Sequence, residues 1–251
     1  MTKYISRKKN PISQTTTEPM KFLALDWYEC DLLSDIQIER KANYLNQEHN
    51  KSYTIFIFGV TAQGHSLCLR VKNYLPYFYV QIPDEFKLEQ SKDFINAFDS
   101  GHSEDYDEDE IASFDDAFAQ RDYKFMEEFK LKSRYYMDSV SVNKSEITEK
   151  KVFWTFMNEQ KFPFARIAFK SKLGYQFMER CFKNPLKLNI QGHPEPIKYN
   201  LFESDLEPVL RFMHDKKIKP SSWIHLNANA YKLESRQSKC QINISCDWND
   251  V

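Results

Sequence analysis

Glycine is scarce, five in 251 residues, so each one marks a backbone position that a side chain would obstruct; Gly59 and Gly64 are read in that structural role. Long apolar runs are absent as well. Nothing approaches the roughly 18 residues of a membrane span, and the opening "MTKYISRKKNPISQTTTEP" has no apolar centre to serve as a signal peptide, so the expectation is an intracellular protein with no membrane partner. The five cysteines, Cys30, Cys68, Cys181, Cys240 and Cys246, are odd in number, widely spaced and never C-x-x-C. That excludes a disulfide framework and a zinc knuckle. Cys240 and Cys246 share strand parity and are expected as small buried side chains on one sheet face. The six histidines show neither H-x-x-x-H nor H-E-x-x-H spacing, leaving no legible metal site. Neither sign of charge dominates: 35 Lys and Arg stand against 36 Asp and Glu. No whole-protein field draws this chain onto an anionic polymer, and any nucleic-acid surface must be a local patch.

Apolar and aromatic residues make up 41% and 15% of the chain, enough to bury substantial cores. Residues 1–20 form a polar tail, in which "SRKKN" reads as a frayed terminus, an import signal or a phosphate-touching arm. "KFLALDWYECDLL" (21–33) reads as a strand. "YTIFIFGVTAQGHSLCLRVKNYLPYFYVQIP" (53–83) holds two β-branched and aromatic runs around a turn at Gly64 and a third bounded by Pro76, an antiparallel meander. A helix is expected over 84–98, completing a first part at 21–98. Residues 99–116 carry nine carboxylates and no Lys or Arg. Such a run resists burial and reads as an exposed, mobile loop rather than a two-metal site, since catalytic carboxylates need a rigid apolar frame.

An α+β part follows over 117–228. "AFAQRDYKFMEEF" reads as a helix, and "RYYMDSVSV", "KKVFWTF" and "FPFARIAFKS" read as strands. "KLGYQFMERCFK" reads as a helix with Leu173, Phe177 and Cys181 along one stripe, ahead of a strand in "YNLFES". "AYKLES" and "SKCQINISCDW" are strands within a final part, 229–251. The fold class is α+β, with mixed, mostly antiparallel sheets and packed helices. The order strand, helix, strand, strand, helix, strand suits a split β-α-β layout of ferredoxin-like or RNA-recognition-like type.

The stretch "DLEPVLRFMHDKKIKPSSWIHL" (205–226) is the most structured signal. Asp205 is placed to cap a helix whose first turn holds Leu206, Glu207 and Pro208. Leu206, Val209, Leu210 and Met213 fall at i, i+3, i+4 and i+7, with Phe212 widening that face. Lys216 and Lys217 complement the dipole in the last turn, Pro220 stops the helix, and Trp223 opens a structural strand. Arg211 lies beside the buried stripe as either an internal carboxylate partner or a phosphate clamp.

Four blocks, in order, resemble the N-terminal region of B-family DNA polymerases, of the DNA polymerase delta type and its counterparts in large DNA viruses. "YTIFIFGVTAQGHSLCLRV" is similar to the family's strand-turn-strand, and "YLPYFYVQIP" to its "PYfYv" segment. "FESDLEPVLRFMHDKKIKP" resembles its "yEadi…Rfm" helix, and "SSWIHLNANAYKLESRQSKCQINISCDWNDV" resembles the lead-in to the exonuclease. The resemblance covers residues 20–251. It implies a longer parent, a DNA-directed DNA polymerase with a 3′–5′ exonuclease, using Mg2+ and acting at the host nucleus or a cytoplasmic viral replication site. The first exonuclease strand, with its "D-I-E", and the polymerase motifs do not occur in these residues, so 229–251 is expected to lead into an exonuclease domain outside them. No catalytic residue, metal ligand or cofactor is assigned to 1–251.

What the resemblance implies for this part is scaffolding of the exonuclease and polymerase core plus contact with single-stranded template. Basic groups would track phosphates and aromatic rings would stack on bases. The candidates are Arg70, Lys72, Tyr77, Tyr79, Arg211, Lys216, Lys217 and Lys219. Partners are the single-stranded template, the primer-template through the parent, the rest of the polymerase chain and a processivity factor. Two other readings stay open: a stand-alone single-strand-binding module, and a protein-interaction module with the acidic run as its lure.

Overall fold

The computed structural model describes residues 16–33, 51–83, 86, 88–99, 144–151, 161–186, 190, 192–193, 195–235 and 238–251. In chain order its elements are β1 (Met20–Leu33), β2 (Lys51–Thr61), β3 (Ser66–Lys72), β4 (Tyr77–Gln81), α1 (Leu88–Asp99), β5 (Lys144–Lys151) and β6 (Lys161–Ala168). There follow α2 (Lys172–Cys181), β7 (Leu201–Phe202), α3 (Pro208–Asp215), β8 (Trp223–Leu226), β9 (Tyr231–Leu233), β10 (Ile242–Asp247) and a 3₁₀ turn, Trp248–Asp250. They fall into two compact units, each assembled from separated chain segments: Met1–Cys30, Tyr53–Tyr74 and Pro208–Val251 in one, Asp31–Ser52 and Leu75–Glu207 in the other.

The first unit is a six-stranded sheet in the order β8-β1-β2-β3-β10-β9. Its β2–β3 hairpin closes through a Gly64 N–H that donates to the Thr61 carbonyl at 2.8 Å and a Thr61 N–H that donates to His65 at 2.9 Å. Gly64 takes φ +84°, the left-handed conformation that lets a three-residue loop reverse the chain. Gly59 answers a different need. A Cβ there would run into the Leu23 carbonyl oxygen and stand 2.6 Å from Phe22 Cδ2, so only a glycine lets β2 lie this close to β1. Alternate residues Ile55, Ile57, Leu67, Leu69, Val71, Ile242, Ile244 and Cys246 face one apolar core, against which α3 packs Val209, Phe212 and Met213.

The second unit runs β4-α1-β5-β6-α2-β7, with strands ordered β5-β6-β4-β7 and every neighbouring pair antiparallel. This is the split β-α-β arrangement expected from the sequence, within an α+β chain. Phe78, Val80, Ala165 and Ile167 point to one face and meet Phe94 of α1 and Tyr175, Met178 and Cys181 of α2 in a second core. The Ser171 hydroxyl accepts the Gly174 N–H at 3.0 Å, and the Asp31 carboxylate accepts the N–H groups of Lys172 and Leu173 at 2.7 and 3.0 Å, which satisfies the open first turn of α2.

Several local expectations are corrected. The third run of the supposed meander, β4, leaves the first sheet and becomes a central strand of the second, after a left-handed Asn73 at φ 66° turns the chain. Asp205 does not cap α3, which begins at Pro208; the Val209 N–H is met instead by Glu29 from β1 at 3.0 Å. The buried face of α3 is Pro208, Val209, Arg211, Phe212 and Met213, so Leu210 is exposed while Phe212 is fully buried. Lys216 and Lys217 lie beyond the last helical residue, Asp215. On α2 Cys181 is buried as expected, together with Tyr175 and Met178, while Leu173 is exposed; the Phe177 side chain lies outside the described residues. Cys240 precedes β10 rather than sharing its face with Cys246. β5 runs from Lys144 to Lys151 and takes in the first two residues of "KKVFWTF"; the rest of that run lies outside the described residues. The run "RYYMDSVSV", the helix in "AFAQRDYKFMEEF" and the acidic loop lie outside the described residues.

Candidate nucleic-acid interface

Among the described residues, the helices of the second unit pack on one face of its sheet, and the other face is aromatic. β4 pairs with β6 so that Tyr77 stands opposite Ala168 and Tyr79 opposite Arg166. The pleat sends Tyr77, Tyr79, Phe162, Phe164 and Ala168 away from the helices, where they form a separate cluster with partly buried Leu75 and Phe202. The Tyr77 and Tyr79 rings meet edge to face at 5.6 Å, and Phe164 meets Phe202 likewise at 5.1 Å. Two cations stand over these rings: Lys150 Nζ lies 3.3 Å from the Tyr79 centroid and the Arg166 guanidinium carbon 3.8 Å from that of Tyr77. Tyr77 and Tyr79 are only 7% and 8% exposed, and Phe162, Phe164 and Ala168 beside them are buried as well. Each cation–π contact is worth about 1–2 kcal/mol when partly desolvated. The result is a pair of positive groups held on an aromatic floor, chemistry suited to phosphate and to planar bases.

The remaining sequence candidates are dispersed. Arg70 is buried on β3, between Phe56 of β2 and Ser245 of β10. Lys72 forms an ion pair with Glu234 at 2.9 Å. Burial pushes the Glu234 carboxyl upward, but the Ser245 hydroxyl, Lys72 and the charge of Arg70 outweigh it and hold the group below its ordinary value. Arg211 is buried on α3. Lys216 stands 4.7 Å from the Trp248 ring centroid and donates to the Asn249 carbonyl at 3.3 Å. Lys217 and Lys219 are exposed. Lys217 occupies the left-handed position after α3, at φ 55°, where its N–H bonds His214 and the Ile218 N–H bonds Met213 in a Schellman closure. Trp223 is exposed on β8, with Lys21 5.2 Å over its ring. Asp205 is exposed in the turn before α3.

The two cations over the tyrosines escaped the sequence reading. Arg166 was legible in principle, since "FPFARIAF" alternates and puts Arg166 on the same strand face as Phe162 and Phe164. Lys150 had no such signal, because β5, "KSEITEKK", contains a single apolar residue. Among the described residues no three His, Cys, Asp or Glu side chains converge with metal-binding geometry, and no helix is long and apolar enough to cross a membrane.

Comparison with known proteins places these features in context. Residues 199–251 match the model of the DNA polymerase family B exonuclease domain, so that model begins at β7 and takes in α3 and β8 to β10. The chain is 28% identical over 211 residues to a DNA polymerase of Acanthamoeba polyphaga mimivirus, covering 82% of this chain and 11% of that protein. It is 28% identical over 205 residues to the DNA polymerase delta catalytic subunit of Candida albicans, covering 81% of this chain and 15% of that one. A solved family B DNA polymerase from the hyperthermophilic archaeon Pyrobaculum calidifontis aligns over 90% of this chain and 20% of its own, at 15% identity and a TM-score of 0.45. The chain thus spans between a tenth and a fifth of these proteins.

Proposed function

On the premise that this chain is built like the N-terminal region of family B DNA polymerases, we propose that it is a non-catalytic part of such an enzyme, supporting the exonuclease and polymerase core and touching the single-stranded template. The observation that supports template contact is the cation-capped tyrosine pair, Lys150 over Tyr79 and Arg166 over Tyr77. Arginine presents a planar fork to phosphate and lysine a mobile point charge, while the near-neutral whole chain adds no field of its own. Binding by this face is accordingly weak and local. In this reading the longer enzyme is a DNA-directed DNA polymerase with a 3′–5′ exonuclease, its Mg2+ chemistry lies on other residues than these, and a processivity factor and the primer-template are its further partners. It works in the nucleus or at a cytoplasmic viral replication site.

A fluorescence anisotropy titration of a short single-stranded oligodeoxynucleotide, at low and moderate salt, tests template contact. The proposal expects binding at low salt that falls with a slope of about −0.7 per phosphate contacted, weakened in Lys150→Gln and Arg166→Gln. No binding at low salt by the wild-type chain removes template contact from the account.

A further inference from the structure

Two cysteines of the first unit meet at one serine. β10 runs parallel beside β3 with Asn243 opposite Cys68. Leu67, Leu69, Ile242 and Ile244 face the apolar core, so the pleat turns Cys68 and Asn243 to the opposite face of the sheet, side by side. The Asn243 carboxamide gathers in the turn that precedes it. Its Oδ1 accepts the Ser238 N–H at 3.1 Å and the Ser238 hydroxyl at 2.6 Å, and its Nδ2 donates to the Cys240 carbonyl at 3.0 Å. The Ser238 oxygen in turn accepts the Cys240 N–H at 3.1 Å and is hydrogen-bonded to the Cys68 side chain. Cys68 is buried and Cys240 half-buried. Cys246 faces the core instead, and Cys30 lies on β1, with β2 between it and β3.

We propose that Cys68 and Cys240 are a redox pair that closes as a disulfide when the chain meets a small-molecule disulfide such as oxidised glutathione. The half-buried Cys240 reacts first: its thiolate attacks one sulfur of the oxidant, the S–S bond of the oxidant breaks and one glutathione leaves. Cys68 then attacks the Cys240 sulfur of that mixed disulfide and expels the second glutathione. Two protein thiols are oxidised, one glutathione disulfide is reduced to two thiols, and the two protein protons end on them. Cys68 suits the second step. Burial raises its thiol above the ordinary value, the neighbouring Cys240 adds to that and the Ser238 bond opposes it, so Cys68 stays protonated and inert until a disulfide is held against it. Cys240 lies ahead of β10 and outside any strand, so drawing the two sulfurs together breaks no ladder. The bond fastens the β9–β10 connection, within the residues that match the exonuclease model, to β3. This pairing does not depend on template contact.

The test incubates the full chain with oxidised glutathione, alkylates the remaining thiols and maps the peptides by mass spectrometry. The wild type is expected to lose two alkylatable thiols, to yield the tryptic peptide of Cys68 linked to that of Cys240, and to recover both thiols on treatment with dithiothreitol. The second peptide also holds Cys246, so Cys246→Ala is run beside Cys240→Ala: the first keeps the link and the second loses it. Cys68→Ala retains one glutathione on Cys240, because no second thiol displaces it. The oxidised wild type unfolds about 5 °C above the reduced form, and Cys240→Ala shows no such gap. The wild-type mapping and its reversal stand on their own where a variant does not fold. Wild-type thiols that all remain alkylatable, a glutathione that stays on wild-type Cys240, a link to Cys246, or a link between two chains in place of one within a chain overturns the pair.

Discussion

Glu29 on β1 accepts the backbone N–H of Val209 at 3.0 Å, and the two residues lie 180 positions apart. The same carboxylate oxygen accepts the Tyr53 hydroxyl. The first turn of α3 is therefore capped from across the sheet rather than by its own sequence. Glu29→Ala leaves the Val209 N–H and the Tyr53 hydroxyl without this acceptor and is expected to destabilise the protein by about 1–3 kcal/mol. Asp205→Ala, in the exposed turn, is expected to stay within about 0.5 kcal/mol of wild type. Urea denaturation of the two variants checks the contrast, and equal losses would return the cap to Asp205.

Asp31 and Glu234 predict opposite pH trends. Burial raises the Asp31 carboxyl above its ordinary value even though the Lys172 and Leu173 N–H groups and nearby lysines pull it down. A raised folded-state value means that its contribution is fully present below the unfolded value and is lost as pH rises through the folded one. Asp31→Asn removes that loss but keeps only one of the two acceptor oxygens, since Lys172 bonds Oδ1 and Leu173 Oδ2, so its deficit against wild type is expected to shrink as pH rises. Thermal unfolding of both proteins from pH 4 to 7 measures it; a deficit that widens with rising pH contradicts it.

For Glu234, held low despite burial by Ser245, Lys72 and Arg70, stability is present above the unfolded value and is lost as pH falls through the folded value. With both partners of the ion pair partly exposed, the Lys72 contact is worth about 0.5–1 kcal/mol. Lys72→Gln should lose that much at pH 7 and close the gap to wild type as pH is lowered past the carboxylate range. Parallel stability curves for the two proteins would contradict the assignment.

Lys217 supplies a separation of stability from binding. It holds φ 55° in the Schellman closure of α3, a conformation that costs a residue with a Cβ about 1 kcal/mol. Lys217→Gly is expected to raise stability by about 0.5–1 kcal/mol while removing an exposed positive charge. Chemical denaturation gives the first quantity and the oligonucleotide titration the second. Single-stranded DNA affinity within twofold of wild type agrees with contact through the sheet face; a large loss shifts contact to the end of α3.

Gly59 and Gly64 differ in what a side chain would meet. Gly59→Ala drives a Cβ against the Leu23 carbonyl and Phe22 and is expected to cost about 3 kcal/mol. Gly64→Ala meets open space but keeps φ +84°, a cost of about 1–2 kcal/mol. Denaturation midpoints in that order support the close β1–β2 approach.

What could be read from the residues was local. Alternation in "YTIFIFGV" and "FPFARIAF" located β2 and β6, and the element order anticipated the split β-α-β sheet. What escaped was long-range or poorly patterned. The Pro76-bounded run follows the hairpin so closely that it looks like a third meander strand, yet hydrogen bonding assigns it to another sheet. β5 is nearly all polar, as suits an edge strand, and offers no apolar period to detect. The cap on Val209 depends on Glu29, which no window around α3 contains. At the interface, Tyr77 and Tyr79 were visible as aromatic residues on one strand face, but the cations above them come from β5 and β6, and only strand register brings them there.

The most direct test of the central claim is photocrosslinking of the full chain to a single-stranded oligodeoxynucleotide carrying 4-thiothymidine, with the crosslinked peptides mapped by mass spectrometry. The account predicts crosslinks within residues 77–81 and 161–168, reduced in Arg166→Gln. Crosslinks confined to residues 216–219, or none at low salt, would contradict it.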